Sequence, residues 1–415
     1  MLLLIGFFHN SLIVFLSFFY FSILILIFLP LKIKGKGYFV GIQELCGCIY
    51  STKFALNYCG FDDVTAMGIV GFFDKNNLYD YTIKIPEWLN QYPNLRKYWV
   101  FFQKAFYLPK FLYGKENFIF FWNCTFLPVN LDLVLLKILR KKIVIFHCGD
   151  DVRYRPIHNK LMKMEGMEYC FPSLNEMFPT LVFLQKLFYQ KFPSYLRIPI
   201  YTLMNMETFL DDGAYYFRLC QKDFLAPDKK INNIVPLIVH APSHRELKGT
   251  KIVLDAIEIL RAQNVKFDFL LLENKTNDEV IKILKTADIV IDQPGLWGRL
   301  AMEGMAHSCI VFGGFNPQYE NTNWNLPIFP FNRDPIELAN NIRKTLQNIR
   351  SKDLRNKFFK AYKDYYSAEA FVSHLNNVLS GKIEKELFPH PNHKEKLLSA
   401  AENLFQRFMI KLFIK

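Results

Sequence analysis

The chain has 415 residues, 51% of them hydrophobic and 42 of them phenylalanine, and it carries a formal net charge of +13. This length accommodates two domains with a core in each, and this composition excludes extensive disorder. The positive charge indicates acidic partners such as phosphates or an anionic lipid, and the sequence contains no arginine-rich run or nucleic-acid module. The eight cysteines include no Cys-x-x-Cys pair, so we expect no metal site and free thiols in a reducing compartment.

Near the start of the chain lies an uncharged run from Ser11 to Leu31, which is long enough to cross a bilayer as a helix. No basic region precedes the run and no small-residue cleavage site follows it, which argues against a removable signal peptide. Three lysines come directly after it, at positions 32, 34 and 36. The sequence therefore predicts a transmembrane anchor over residues 1–36, with the protein at the cytoplasmic face of the membrane. The alternative is that translation starts later and the working protein lacks this leader.

Residues 37–228 are predicted to form a first α/β domain. Short apolar runs predict buried strands, and segments of helical period lie between them. The predicted strands are Tyr38–Ile42, Asn117–Trp122 and Lys142–His147, and the predicted helices are Glu44–Tyr58 and Asn130–Arg140. Asp80 to Leu112 is rich in aromatic residues and lysine, which suits either a face for a lipid-linked acceptor or packing within the domain. A polar stretch at 226–230 is the predicted linker.

The loop after the last of these strands reads HCGDDVR, from His147 to Arg153. Ligands of open parallel sheets bind at the carboxyl ends of the strands, so His147 and Asp150 are candidate site residues. The competing interpretation is structural, with His147 in the core and Asp150 as a cap of the next turn. The pair Asp150 and Asp151 lacks the other ligands that a metal ion would need.

Residues 229–380 are predicted to form a second α/β domain. Apolar runs at Leu237–His240, Phe267–Leu272 and Asp288–Ile291 alternate with helical segments, which is typical of a parallel sheet with crossover helices. The loop after the first run, SHRELKGT, places Arg245 and Lys248 just before a predicted helix. Side-chain charge and free backbone N–H groups there suit a phosphate or diphosphate, and a solvated basic loop is the alternative.

The loop after the third run, GLWGR, precedes a predicted helix of about nine residues that ends near His307. Gly298 allows close approach of the backbone, and Glu303 lies one to two turns into the helix, within reach of ribose hydroxyls. A bare Gly-x-x-Gly is weak evidence, because glycine at such a position is often only a turn residue. The two loops lie on adjacent strands of one predicted sheet, and together they indicate a nucleotide site.

Residues 236–314, with RELKGT, ADIVID and WGRLAMEGMA, resemble the donor-binding half of glycosyltransferase family 4 (glycosyl transferases group 1). The resemblance implies an α/β fold of two facing Rossmann-like domains, the GT-B type, with the acceptor on the first domain. It implies that Arg245 and Lys248 contact the donor diphosphate as catalytic residues. It also places these residues around the donor: Gly249, Gln293, Gly295, Trp297, Gly298 and Glu303.

The chain departs from the family in the second of these loops. The family has two glutamates eight positions apart, and Glu303 matches the second, whereas the first falls on Gly295. The usual contact to the hydroxyls of the donor sugar is therefore missing, and Asp292 or Gln293 is a candidate substitute. The HCGDDVR loop is similar to an H-G-x-D-x-R segment of the family, which implies that His147 binds the transferred sugar and that Asp150 orients an acceptor hydroxyl.

Two helical segments, Asp334–Arg350 and Ser351–Leu379, follow, and the resemblance implies that the last helices cross back to the first domain. Residues 381–415 form a basic amphipathic tail. Its apolar positions are Leu397, Ala401, Leu404, Phe408 and Leu412. Such a tail suits a membrane surface or a partner groove, and it also suits packing on the protein itself.

The resemblance implies a retaining, metal-independent glycosyltransferase with no cofactor other than its nucleotide-diphosphate sugar. The expected acceptor is a surface polysaccharide, lipopolysaccharide or glycolipid at a membrane, and nucleic acid is not an expected partner. One alternative is a non-catalytic subunit that keeps the fold, as the glycine at 295 suggests. The others are a basic membrane-anchored binder of nucleic acid or anionic lipid, and a nucleotide-sugar epimerase.

Overall fold

The computed structural model describes residues 2–31, 35–44, 47–69, 79–122, 124–148, 198–201, 215–216, 220, 233–294, 297–314, 326–331 and 333–382. The described elements form an α/β fold with two parallel sheets, as the sequence predicted. The polar stretch at 226–230, most of residues 160–228 and nearly all of the tail at 381–415 lie outside the described residues, so those predictions stay predictions.

The first sheet has seven described strands in the order β3-β2-β1-β4-β5-β6-β7, all of them parallel. Its strands are β1 (Tyr38–Gln43), β2 (Val64–Ile69), β3 (Tyr81–Ile83), β4 (Asn117–Phe121), β5 (Lys142–His147), β6 (Ile198–Tyr201) and β7 (Tyr215–Tyr216). Its helices are α1 (Leu2–Phe28), α2 (Cys48–Tyr58), α3 (Pro93–Gly114) and α4 (Leu131–Ile138), with 3-10 turns at Glu87–Gln91 and Pro128–Asn130. The three strands predicted for this domain are confirmed.

The second sheet has five described strands in the order β12-β11-β10-β8-β9, again all parallel. Its strands are β8 (Leu237–His240), β9 (Asp268–Leu271), β10 (Ile289–Ile291), β11 (Ile310–Gly313) and β12 (Phe329–Pro330). Its helices are α5 (Thr250–Ala262), α6 (Asn277–Leu284), α7 (Arg299–Ala306), α8 (Pro335–Gln347) and α9 (Lys352–Tyr365). Because β8 lies between β10 and β9, the loops that leave these three strands are neighbours at one edge.

The amino-terminal run does not have the role that the sequence predicted. Within the described part of the chain, no helix is both long and apolar enough to span a bilayer. This finding contradicts the predicted transmembrane anchor and the location at the cytoplasmic face of the membrane that depended on it. The side chains of Ile13, Leu24 and Phe28 in α1 are buried in the core of the first domain, and the Tyr20 hydroxyl donates to the Ala105 carbonyl of α3 at 2.6 Å.

The aromatic segment from Asp80 to Leu112 contains β3 and most of α3. One face of α3 packs into the core of the first domain through Phe101, Leu108 and Phe111. The opposite face exposes Trp99, Phe102 and Phe106 among other apolar side chains. Packing within the domain therefore accounts for only half of the aromatic pattern.

The predicted helix from Ser351 to Leu379 is two helices, α9 and α10 (Ala368–Ser380), which meet at Tyr366 and Ser367. Ser367 begins α10, because its hydroxyl accepts the Ala370 N–H at 3.2 Å. Helix α9 packs in the core of the second domain, whereas α10 packs on the first sheet, where the rings of Phe371 and Phe146 stack at 6.0 Å. This crossing agrees with the expectation from the resemblance.

Candidate functional site

The candidate site lies at the carboxyl edge of the second sheet, where three strand ends meet. The loop after β8 spans the two neighbouring strands: Arg245 reaches the end of β9, and Lys248 reaches the end of β10. Helix α5 follows this loop, with Val253, Ile257 and Leu260 buried as the sequence predicted. The two predicted loops are therefore adjacent, in the position where open parallel sheets bind ligands.

Lys248 is held between two side chains at the end of β10. Its ammonium group donates to the Gln293 side-chain oxygen and lies 3.6 Å from Oδ1 of Asp292. The other oxygen of Asp292, Oδ2, accepts the Gly298 N–H at the start of α7. Asp292 and Gln293, the two candidate substitutes for the missing glutamate, thus both contact the cation predicted to bind the diphosphate.

Gly298 has a geometric reason to be glycine. A Cβ at this position would lie 3.2 Å from the Lys248 Nζ and 3.2 Å from Oδ2 of Asp292, closer than an ordinary van der Waals contact. The backbone of Gly298 is extended, with φ −104° and ψ −160°, so the requirement arises from the space that the ion pair fills. The groups that approach the backbone of Gly298 closely are the side chains of Lys248 and Asp292.

Arg245 forms a two-pronged ion pair with Glu273, which follows β9. The Nε and Nη2 atoms of Arg245 donate to Oε1 and Oε2 of Glu273 at 2.6 and 2.5 Å. The hydrogen bonds from Arg245 lower the pKa of the Glu273 carboxyl, and the same bonds raise the pKa of Arg245. Both side chains are more exposed to solvent than those of Lys248 and Asp292.

Glu303 is buried in α7, and its Oε1 accepts from Arg299 Nε at 2.8 Å and from Asn277 Nδ2 at 2.9 Å. Asn277 is the first residue of α6, a position fixed by a capping box: the Thr276 hydroxyl accepts the Glu279 N–H while the Glu279 carboxylate accepts the Thr276 N–H. The sequence interpretation missed Asn277, although the Thr-x-x-Glu pattern of a helix start was present.

Two other residues predicted to lie around the donor sugar, Gly249 and Trp297, have contacts within the domain that account for their residue types. Gly249 has φ +62° at the start of α5, in the left-handed region that favours glycine, and a Cβ there would lie 3.0 Å from the Pro294 ring. Trp297 is almost fully buried in the core of the second domain. Gly295 lies outside the described residues, so its predicted role stays a prediction.

His240, at the end of β8, joins three elements beneath the site and was missed by the sequence interpretation. Its Nδ1 lies 2.8 Å from the Ile291 carbonyl, which only accepts, so Nδ1 carries the proton. Its Nε2 therefore accepts from the Thr250 hydroxyl at 3.0 Å. Burial lowers the pKa of His240, which keeps the ring neutral. The two hydrogen bonds of the neutral ring join β8 to β10 and to α5.

His147 is fully buried at the carboxyl end of β5, in the first sheet, and Asp150 lies outside the described residues. Cys48, at the start of α2, is also at this edge. A hydrogen bond to the thiol of Cys148 and burial raise the pKa of Cys48. The structure therefore places His147 at the predicted strand end and buries it, as the competing structural interpretation expected, and it does not test the sugar contact or the role of Asp150.

Arg299 brings the two sheet edges together. A Cβ on Gly47, which begins α2 in the first domain, would lie 3.0 Å from Nη1 of Arg299 in the second. Gly47, at the start of α2, and the start of α7 are thus close together. Among the described residues, no group of three or more His, Cys, Asp or Glu side chains is arranged to hold a metal ion.

Neither a known family model nor a curated protein sequence matches this chain. Solved structures do match: a glycosyltransferase from Rickettsia africae is 11% identical with a TM-score of 0.52, covering 85% of this chain and 100% of that one. A sucrose-phosphate synthase from Thermosynechococcus elongatus is 12% identical with a TM-score of 0.53, covering 83% and 98%. HepE from Anabaena, in complex with UDP and glucose, is 11% identical with a TM-score of 0.50, covering 83% and 100%.

At these identities the similarity concerns the fold. It supports the GT-B architecture of two parallel-sheet domains that the sequence predicted, and membership of glycosyltransferase family 4 itself stays a prediction. The chain is an α/β protein with the fold of these structures, and its candidate site lies at the carboxyl edge of the second sheet.

Proposed function

We propose that the protein is a glycosyltransferase that moves a sugar from a nucleoside-diphosphate donor to a glycan or glycolipid acceptor. One observation carries the proposal: the Lys248 ammonium group is fixed at the amino end of α7, at the carboxyl edge of the second sheet. A fixed cation beside free N–H groups of a helix start is suited to a diphosphate. The fold shared with glycosyltransferases supports the same assignment.

In the proposed reaction the bond between the sugar and the diphosphate breaks, and negative charge develops on the departing phosphate oxygen. Lys248, Arg245 and the first N–H groups of α7 would stabilise this charge without reorganising during the reaction. These donors supply the role that a divalent cation has in other transferases, so we propose that transfer is independent of metal.

We further propose that transfer retains the anomeric configuration. The acceptor hydroxyl would approach the anomeric carbon on the face from which the diphosphate departs, while His147 lies at the facing edge of the first domain. The proposed acceptor is a surface polysaccharide, a lipopolysaccharide or a glycolipid. The exposed aromatic side chains of α3, in the acceptor-side domain, support an acceptor with an apolar part.

The decisive experiment measures nucleotide release by the full chain from a panel of nucleotide-diphosphate sugars, with and without EDTA. Lys248→Ala is the test variant. Lys266→Ala is the matched control, because Lys266 is an exposed lysine just before β9, at the opposite edge of the same sheet. We expect EDTA-resistant release from one donor that falls at least tenfold in Lys248→Ala and is unchanged in Lys266→Ala.

The second candidate function is a binding subunit without turnover. The observation that favours it is the glycine at 295, together with a Glu303 carboxylate already held by Arg299 and Asn277. Nucleotide binding without release from any donor, tested with glycan and glycolipid acceptors present, would support this candidate. A chain that binds no nucleotide-diphosphate sugar would refute both.

A further inference from the structure

The cations of the candidate site are already neutralised by carboxylates of the same domain. In the described structure Lys248 lies beside Asp292, Arg299 beside Glu303 and Arg245 beside Glu273. A diphosphate that enters this edge therefore meets three ion pairs. To gain a strong contact, it has to replace an internal carboxylate as the partner of at least one cation.

The pair of Arg245 and Glu273 is the one most open to such an exchange. The side chains of Asp292 and Glu303 are 0% and 5% exposed, whereas those of Arg245 and Glu273 are 59% and 30% exposed. Exposed ion pairs are weak, because water solvates both charges once they separate. Buried carboxylates would lose their partners at a much higher cost.

The geometry of the pair makes the exchange competitive. Glu273 occupies both the Nε and the Nη2 donors of Arg245, and this fork of two parallel N–H groups is one of the two with which arginine can bind a phosphate through two oxygens. The fork cannot hold a carboxylate and a phosphate at the same time. Glu273 and a phosphate that binds through this fork therefore exclude each other.

We infer that Glu273 is an internal counter-ion that the donor diphosphate displaces from Arg245, and that it thereby sets the affinity of the site for nucleoside diphosphates. The inference rests on the proposed function, because it assumes that this edge binds the donor. Glu273 holds the Arg245 side chain in place while the site is empty, and it weakens binding of the diphosphate by competing for the same donors.

The test is a calorimetric titration of the full chain with UDP and, separately, with GDP. Glu273→Gln removes the competing charge and keeps the shape of the side chain. We expect it to tighten binding roughly two- to fivefold, the range set by the strength of exposed ion pairs. Glu258→Gln is the matched control, since it makes the same change of charge and breaks an exposed pair with Arg261 at the far end of α5.

A second arm separates competition for Arg245 from a general effect of charge. Arg245→Ala should weaken binding, and adding Glu273→Gln to it should then change nothing further, because the contested donors are gone. The inference is overturned if Glu273→Gln binds no tighter than the wild type, if Glu258→Gln has the same effect, or if the gain persists without Arg245. A wild-type chain that binds neither nucleotide also overturns the inference, and the panel of donor sugars then decides the proposed function separately.

Discussion

Arg355 in α9 is the residue whose loss we expect to damage the second domain most. Its Nη2 donates to Oδ1 of Asp288 at 2.7 Å, and its Nε donates to the Ile349 carbonyl at 3.1 Å. The two side chains are only 5% and 2% exposed. Oδ2 of Asp288 accepts the Leu237 N–H at 2.7 Å, so the same carboxylate also fixes the start of β8.

The substitution Arg355→Met keeps the apolar stem and removes the charge, which leaves Asp288 buried without its cation. Breaking a buried ion pair from one side costs about 3–5 kcal/mol, because the remaining charge is neither hydrated nor compensated. We expect a loss of this size in the free energy of unfolding, measured by urea denaturation and circular dichroism. Arg261→Met, which breaks an exposed pair on α5, should cost less than about 1 kcal/mol.

Asp288→Asn added to Arg355→Met should restore part of the lost stability, because an asparagine can still accept the Leu237 N–H without a buried charge. A loss below about 1 kcal/mol in Arg355→Met would refute the reasoning, and so would a double variant that is less stable than the single one.

Gly298→Ala should lower nucleotide release by roughly tenfold or more, because its methyl group displaces the ion pair of Lys248 and Asp292. A misplaced charged hydrogen bond costs about 1.5–3 kcal/mol. Gly114→Ala is the control: nothing lies near a Cβ at that position, so this variant should release nucleotide at the wild-type rate. For His240 the folded pKa lies below the unfolded value of 6.5, so its contribution to stability is complete above pH 6.5 and is lost as pH falls below it. Urea unfolding at pH 7.5 and pH 5.5 should show a smaller loss of stability on acidification in His240→Asn than in the wild type, and an equal loss would contradict the assignment.

Local patterns were enough to predict the strands that build the site. Strands of a parallel sheet are buried on both faces, so they read as short apolar runs, and Leu237–His240 and Lys142–His147 have the predicted bounds. The helix after the β8 loop was equally visible in the spacing of its buried residues. The position of Arg245 and Lys248 at a strand end followed from the topology alone.

Partners distant in the sequence could not be predicted. Glu273 lies 28 residues from Arg245, and Gln293 lies 45 residues from Lys248, so no pattern in either loop indicated that these cations are already engaged. The transmembrane prediction for the amino-terminal run was wrong for a related reason. Hydrophobicity reports that a helix avoids water, and it does not distinguish lipid from the α3 surface that the Tyr20 hydroxyl contacts.

The position of α10 has a consequence for the order in which the protein folds during its synthesis. The last described strand of the first sheet ends at Tyr216, whereas the helix that covers Phe146 and its neighbours is complete only at Ser380. At about 5–20 residues per second, the ribosome needs on the order of ten seconds or more to make the chain between them. During that interval α2, the other described helix that packs on this face, covers it without α10. The first domain to be made is therefore the last to be finished, and chains that stop before Phe371 should be held by chaperones that bind exposed apolar surface.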